Sequence, residues 1–243
     1  MKKRLQTILA HAGVASRRSA VLLIEAGKVE VDGVCVTEKG FRADPGKSKI
    51  LVDGRPLSGE EKKYHFLFHK PGNVISTVSD THGRRKVTDF FKGINARLYP
   101  VGRLDKDTTG ILIITNDGTL THVLAHPSFE IEKEYRIKVE PCVARDGIQR
   151  IERGIKLDGR TTSPCEVKLE RKTRAEAVCR IKLHEGRKRQ IRRMFEAVGV
   201  RVTGLKRTRY AGLTLKGLKE GEFRELTQKE VNRLRNLGHE RSG

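Results

Sequence analysis

Asp105 and Asp107 sit in a glycine-bounded loop, Gly102-Arg-Leu-Asp-Lys-Asp-Thr-Thr-Gly110, directly before Ile111-Leu-Ile-Ile114. That run has no polar member and is closed by Asn116-Asp117-Gly118, the pattern of a strand buried on both faces. A carboxylate at the mouth of such a strand stands next to low-dielectric protein. It can be an aimed nucleophile. It can equally be a solvated loop acid, or an Asp capping a turn.

Two other places hold side chains of chemical interest. Arg187-Lys-Arg-Gln-Ile-Arg-Arg193 crowds five cations into seven positions. If these open a helix, they oppose its dipole, so a phosphate-binding stripe is the simplest account. Arg192 and Arg193 directly follow Ile191, which the periodicity turns inward, so one of them can reach the core edge and pair with a buried carboxylate such as Asp105. A bidentate guanidinium there would hold the acid ionised against desolvation. Such a pair is either a structural salt bridge or the setting of a nucleophile. Tyr135 falls on the apolar face of the strand Glu134-Tyr-Arg-Ile-Lys-Val139. It is core filler, or beside an ionised Asp it relays a proton.

The elements that must carry these residues follow from periodicity. Residues 4–13 and a stretch after Ser16 read as two short helices, stopped by Gly13 and Gly27. Val29 to Val36 is a hairpin turned by Asp32-Gly33, with Val29, Val31, Val34 and Val36 on one face. A strand at Ile50–Val52 closes on Asp53-Gly54. The polar stretch Leu57 to Lys63 breaks the periodicity, which places a linker at residues 58–63, a small domain at 1–57 and a larger one at 64–238, with a flexible tail at 239–243.

In the larger part, strands are expected at Tyr64–Phe68, 134–139, 165–169 and 177–183, with a turn at His69-Lys-Pro-Gly72. Short helices are expected after Thr88 or Asp89, over 119–126 and around Ile148–Ile151. A longer one runs from Arg187 to Gly199 with Ile191, Met194, Phe195 and Val198 inward, and Thr227 caps a last one. Strands with interspersed helices and no regular alternation predict an α+β fold, mostly antiparallel.

Composition narrows the partner. With 51 Lys and Arg against 30 Asp and Glu, the net charge of +21 draws polyanions, foremost nucleic acid. An acidic membrane surface competes, but no apolar run approaches the roughly 20 residues of a span. Met1-Lys-Lys-Arg-Leu leads into Gln6, Thr7 and His11 rather than a secretory apolar region, which predicts a cytoplasmic protein. Cys35, Cys142, Cys165 and Cys179 lack metal-clamp spacing and read as small core residues of a reduced protein, so no metal and no cofactor are expected. Few aromatics (5%) and no Trp speak against a stacking platform for single strands.

Residues 4 to about 52, with Gly13-Val-Ala-Ser-Arg-Arg18 between the helices and Gly27-Lys-Val29 before the hairpin, resemble the S4-like (αL) RNA-binding domain. The rest of the chain resembles the RsuA-type branch of the pseudouridine synthases. The strings that carry this are His69-Lys-Pro-Gly72, Gly102-Arg-Leu-Asp105, Lys133-Glu-Tyr135, Glu185-Gly-Arg-Lys-Arg-Gln-Ile-Arg-Arg-Met194 and Leu205-Lys-Arg-Thr-Arg209. Tyr99-Pro-Val-Gly102 and Thr115-Asn-Asp-Gly118 are most similar to the B-type synthases of large-subunit (23S) ribosomal RNA.

The resemblance implies a bent, mainly antiparallel sheet with flanking helices and a cofactor-independent isomerisation of uridine to pseudouridine in ribosomal RNA. It implies Asp105 as nucleophile, Tyr135 as the active-site base and Arg192 as the partner of Asp105. Arg103 would help flip the nucleotide and Leu183 would line the uracil pocket. Phosphate contacts are expected from Arg17 and Arg18, from Arg84, Arg85 and Lys86, and from Arg187, Lys188 and Arg189. The expected partner is ribosomal RNA, 23S in particular, or an assembly intermediate containing it, acted on by a monomer away from membranes. The rival readings are the same chemistry on 16S RNA, a non-catalytic RNA-binding or ribosome-assembly module, and a basic protein of membrane surfaces.

Overall fold

The computed structural model describes residues 1–57, 59 and 61–238. The tail expected at 239–243 lies outside the described residues, as do Ser58 and Glu60 of the expected linker. The chain forms two compact units. One comprises Met1–Tyr64 with Ile94–Arg97 and Asn116–Gly118, and the other the remainder.

In the first unit, β1 (Lys3–Arg4) leads into α1 (Leu5–His11), and α2 (Arg17–Glu25) starts on Ser16, whose hydroxyl accepts the Ser19 N–H at 2.9 Å. A four-stranded sheet follows, in the order β3 (Val34–Cys35), β2 (Val29–Val31), β5 (Ile50–Val52), β6 (Arg55–Pro56), while β4 (Arg42–Ala43) pairs with β1. Asp32 and Gly33 both take positive φ, the conformation of the tight hairpin turn that Asp-Gly favours. Leu5, Leu9, Ala20, Ile24 and Val29 make a thin core. Val34 departs from its expected face: it lies beside the turn on the edge strand, beyond the helices' reach, and is 67% exposed. Cys35, expected in the core, is exposed on the same edge strand.

Residues 61–64 are tied down within this unit. Glu61 accepts the Arg97 N–H (3.1 Å), and Asn116 accepts from Tyr64 N (2.8 Å) while donating to Lys62 O (2.7 Å).

The second unit is built on a nine-stranded sheet among the described residues. Its strands are β7 (His65–Lys70), β8 (Tyr99–Pro100), β9 (Thr109–Thr115), β10 (Lys133–Glu140), β13 (Glu166–Lys172), β14 (Ala177–Leu183), β15 (Arg201–Tyr210), β16 (Leu213–Thr214) and β17 (Phe223–Glu225). The intervening β11 (Lys156–Leu157) and β12 (Arg160–Thr161) form a separate hairpin. The order is β13-β14-β10-β15-β9-β7-β17, with β16 on β15 and β8 on β9. The pairing is antiparallel except where β15 meets β9. An α+β fold with a mainly antiparallel sheet is what the chain adopts.

Ile111 to Ile114 are fully buried, as their unbroken apolar run requires. Ile111 and Ile113 pack with Leu120 and Leu124 of α3 (Gly118–Ala125) and Val231 and Leu234 of α6 (Gln228–Asn236). On β10 and β14, Ile137, Val139, Cys179 and Ile181 are buried, and so are Ile151 of α4 (Arg145–Arg153) and Met194 and Phe195 of α5 (Gln190–Glu196).

Four local expectations are revised. The helix beyond the cation run starts only at Gln190, because Arg189 takes a left-handed conformation (φ 51°), so Arg187, Lys188 and Arg189 belong to a loop. Val198, placed in its inward stripe, is only half-buried beyond the helix end. His69 and Lys70 extend β7 instead of turning. Leu169 is exposed where β13, an edge strand, bulges before Arg171.

Candidate active site

A cleft of about 610 Å³ opens within the second unit, and Asp105 lies on its floor. The loop that carries Asp105 is fastened through its backbone. Lys70, at the end of β7, is wholly buried, and its ammonium donates to Pro71 O (3.0 Å), Lys106 O (3.2 Å) and Thr108 O (2.8 Å). Burial pulls this lysine down to about 8, and the charges of Asp107 and Asp105 work against that fall. Ser76 holds the other side of the loop. Its hydroxyl donates to Leu104 O at 2.8 Å and accepts the Leu104 N–H at 3.1 Å. A turn bond from Thr108 N to Asp105 O (3.0 Å) completes the loop.

With the backbone so held, the half-buried Asp105 carboxylate makes no hydrogen bond or ion pair among the described residues. It is the kind of acceptor that can attack.

Tyr135 and Leu183 line the same cleft. Tyr135 stands on β10, between Ile181 of β14 and Arg207 of β15, and is 8% exposed. Arg207 is buried behind it. Its Nε donates to Ile111 O at 2.7 Å, and its guanidinium lies 4.5 Å from the centre of the Tyr210 ring and 6.0 Å from that of Tyr135. This crossing depends on Gly110 (φ 113°), where a Cβ would fall 2.2 Å from Arg207 O. Lys133 ties the neighbouring loops by donating to Ile131 O (2.8 Å) and His184 O (2.7 Å). Burial and the nearby Arg207 lower it to about 8.

The far wall is the loop from Glu185 to Gln190. One Glu185 oxygen accepts from Ser163 N (2.9 Å) and the Gln190 amide, and the other from Arg187 Nε (3.2 Å). The Gln190 side-chain oxygen accepts the Arg187 backbone N–H (2.9 Å). Arg187 also donates to Arg160 O (2.9 Å) and Thr161 O (2.7 Å). Its guanidinium is therefore engaged by the protein. Lys188 and Arg189 are exposed and form no ion pair among the described residues, as is Arg103 at the floor.

Of the anticipated site residues, the cleft thus gathers Asp105, Tyr135, Leu183, Arg103, Arg84, Arg187, Lys188 and Arg189. Arg192 stands apart. Among the described residues it has no ion pair with Asp105, and its Nη1 donates to Val202 O at 2.8 Å. Ile191 takes the cleft-facing position, so the next side chain is carried round the helix toward β15. Arg85 lies 4.2 Å over the Phe90 ring and Lys86 pairs with Asp89 at 2.8 Å, both off the cleft lining. Arg17 and Arg18 are exposed in the first turn of α2, in the other unit.

Lys70, Ser76, Lys133, Glu185 and Arg207 were not singled out by residue-type reasoning. For Lys70 a signal existed: a cation at the end of Phe66-Leu-Phe-His-Lys, an otherwise apolar strand sequence. Among the described residues no group of three or more His, Cys, Asp or Glu is placed to hold a metal ion, and no helix is long and apolar enough to cross a membrane.

Residues 64–197 match the model of the RNA pseudouridylate synthase family, and residues 3–49 that of the S4 domain. Ribosomal large subunit pseudouridine synthase B of Bacillus subtilis is 49% identical over 97% of this chain and 96% of its own length. The protein of the same name from Yersinia pestis is 38% identical over 98% of this chain and 76% of its own. A crystal structure of a pseudouridylate synthase superposes with a TM-score of 0.68 at 27% identity, covering 95% of this chain and 99% of the other. A family model spanning more than half the sequence, and full-length relatives around a carboxylate-floored cleft, lead to one conclusion: the chain belongs to the RNA pseudouridylate synthases, with an S4 domain in its N-terminal part.

Proposed function

We propose that this enzyme converts a uridine of large-subunit (23S) ribosomal RNA to pseudouridine, with Asp105 as nucleophile. The observation that carries the assignment is the unpaired Asp105 carboxylate, held by its backbone at the floor of a cleft shared with Tyr135 and Leu183. The substrate follows from the relatives named for the large subunit, at up to 49% identity over nearly the whole chain.

The target nucleotide leaves its stack at a cost of a few kcal/mol, which phosphate contacts repay. Arg103, Lys188 and Arg189, exposed on the cleft lining, supply such contacts in this reading. Asp105 then adds to C1′ as the N1–C1′ glycosidic bond breaks, or adds to C6 of the uracil ring, after which that glycosidic bond breaks. In either route the base turns, C5 bonds to C1′, the carboxylate is released, and the C5 proton is removed while N1 gains one. Tyr135 serves as the base for the proton transfer, and Leu183 packs the uracil face. Reactant and product are isomers, so the balance needs no oxidant and no group donor.

Arg192 would serve this chemistry only by leaving Val202 O for the Asp105 carboxylate when RNA binds. The enzyme acts as a monomer in the cytoplasm, on free ribosomal RNA or an assembly intermediate.

Asp105→Asn tests the assignment. With transcribed 23S RNA carrying tritium at uridine C5, the variant binds as the parent does and loses turnover by at least about 10⁴-fold, the scale of deleting a nucleophile. Retained tritium release would refute it. Pseudouridine mapping of 23S and 16S RNA after reaction tests the choice of subunit.

A further inference from the structure

The wall formed by residues 75–86 has an unusual construction. Asp80 belongs to a polar surface loop, yet its side chain is only 6% exposed, because the loop folds over it. Its carboxylate accepts from His82 N (3.0 Å), Arg84 N (2.8 Å), Arg84 Nε (3.1 Å) and Arg84 Nη2 (2.6 Å). Those donors hold the acid far below the usual carboxylate range. The base of the loop is closed by Ile75 N to Arg85 O and Val87 N to Ile75 O, both 3.0 Å.

The product of this internal ordering is the placement of Arg84. Its side chain is 50% exposed and lines the cleft, one edge locked on Asp80, while Nη1 donates to no protein group among the described residues. A guanidinium anchored on one edge and open on the other is pre-organised for a phosphate, since its fork is fixed before the ligand arrives. The root of the same loop is Ser76, which grips the N–H and C=O of Leu104, the residue before Asp105.

We propose that this loop is a phosphate-reading arm: Asp80 is a positioning residue that aims Arg84 at a backbone phosphate of the bound RNA, and Ser76 links the arm to the peptide carrying Asp105. The inference rests on the synthase reading and gives that site a built phosphate contact. It differs from the contacts of Lys188 and Arg189, whose side chains are free of any internal tether. It also separates Arg84 from its neighbours Arg85 and Lys86, which the protein turns off the cleft.

The experiment measures RNA affinity against salt and, separately, steady-state turnover on the transcribed 23S RNA. Asp80→Asn keeps an amide oxygen for the His82 and Arg84 N–H groups but removes the charge that locks the fork. It should raise KM about tenfold with kcat within about twofold, the mark of lost uniform binding. Arg84→Gln should weaken binding and reduce the salt slope by about 0.7–0.9, one phosphate contact. Ser76→Ala should instead lower kcat at unchanged KM, and Ser76→Thr, which restores a hydroxyl, should recover it.

An unchanged salt slope in Arg84→Gln, or a fall in kcat at constant KM in Asp80→Asn, would overturn the proposal. So would full turnover in Ser76→Ala. The slope is read from binding alone. A parent protein that binds RNA but makes no pseudouridine would therefore refute the synthase reading while the Arg84 slope still decides the arm.

Discussion

The floor loop around Asp105 and the far loop around Lys188 face one cleft, and each spends a cation on the protein so that another charge stays free. At the floor, the ammonium of Lys70 is consumed by backbone carbonyls and the Asp105 carboxylate is left unpaired. At the far wall, the guanidinium of Arg187 is consumed by Glu185 and two carbonyls, and Lys188 and Arg189 are left. The two clamps differ in kind. A buried lysine brought to about 8 can lose its charge near physiological pH, whereas an arginine cannot. The floor is thus the pH-sensitive side of the cleft, and the far wall is the salt-sensitive side.

The largest effect that would sharpen this contrast is expected from Lys70→Met, which keeps an unbranched side chain of similar bulk and removes all its donors. Loss of the clamp misplaces the Asp105 loop, and a misplacement of about 1 Å costs about 10²-fold in turnover. Single-turnover tritium release should show it with RNA affinity unchanged. An affinity loss instead would erase the distinction between floor and wall.

Next comes pH. The Lys70 ammonium is charged below about 8 and neutral above, so the clamp is intact on the acid side and relaxes as pH rises. Turnover should fall along an alkaline limb near that value. Lys133, also brought to about 8, holds Ile131 O and His184 O rather than the Asp105 loop, so Lys133→Met should leave the limb in place. A limb abolished in that variant would assign it to Lys133.

Replacing Lys188 and Arg189 together by Ala should lower the salt slope of binding by about 1.4–1.8, two contacts, while kcat holds. The smallest expected change is that of Glu185→Gln, which loosens Arg187 without removing a free cation. It should raise KM about threefold to fivefold, less than loss of a fully buried charge pair would. A fall in kcat would mean that the far wall also positions the chemistry.

The floor was legible in the sequence and the wall was not, for physical reasons. An unbroken apolar run between glycine-rich turns has few ways to fold, so β9 and the placement of Asp105 before it followed from pattern. The run from Arg187 to Arg193 contains no glycine or proline to announce where its helix begins. Arg189 bends into the left-handed region there, which residue type does not advertise. That single bend moves three cations from a helix to a loop and sends Arg192 to Val202 O instead of Asp105. Lys70 escaped notice because its partners, Lys106 and Thr108, come from a distant part of the chain, and local periodicity is blind to them. Val34 failed for a different reason: alternation assigns a face but not how far the covering helices extend.

Within the large sheet, among the described residues, one pairing is parallel, Lys206 with Thr109 and Arg207 with Gly110, and it joins two antiparallel ribbons. Joining them brings together stretches far apart along the polypeptide, the slowest kind of contact for a folding chain to make. The aspartate leads into one ribbon and the tyrosine sits in the other. The two side chains are therefore brought together only where the ribbons meet, so catalytic competence depends on that seam.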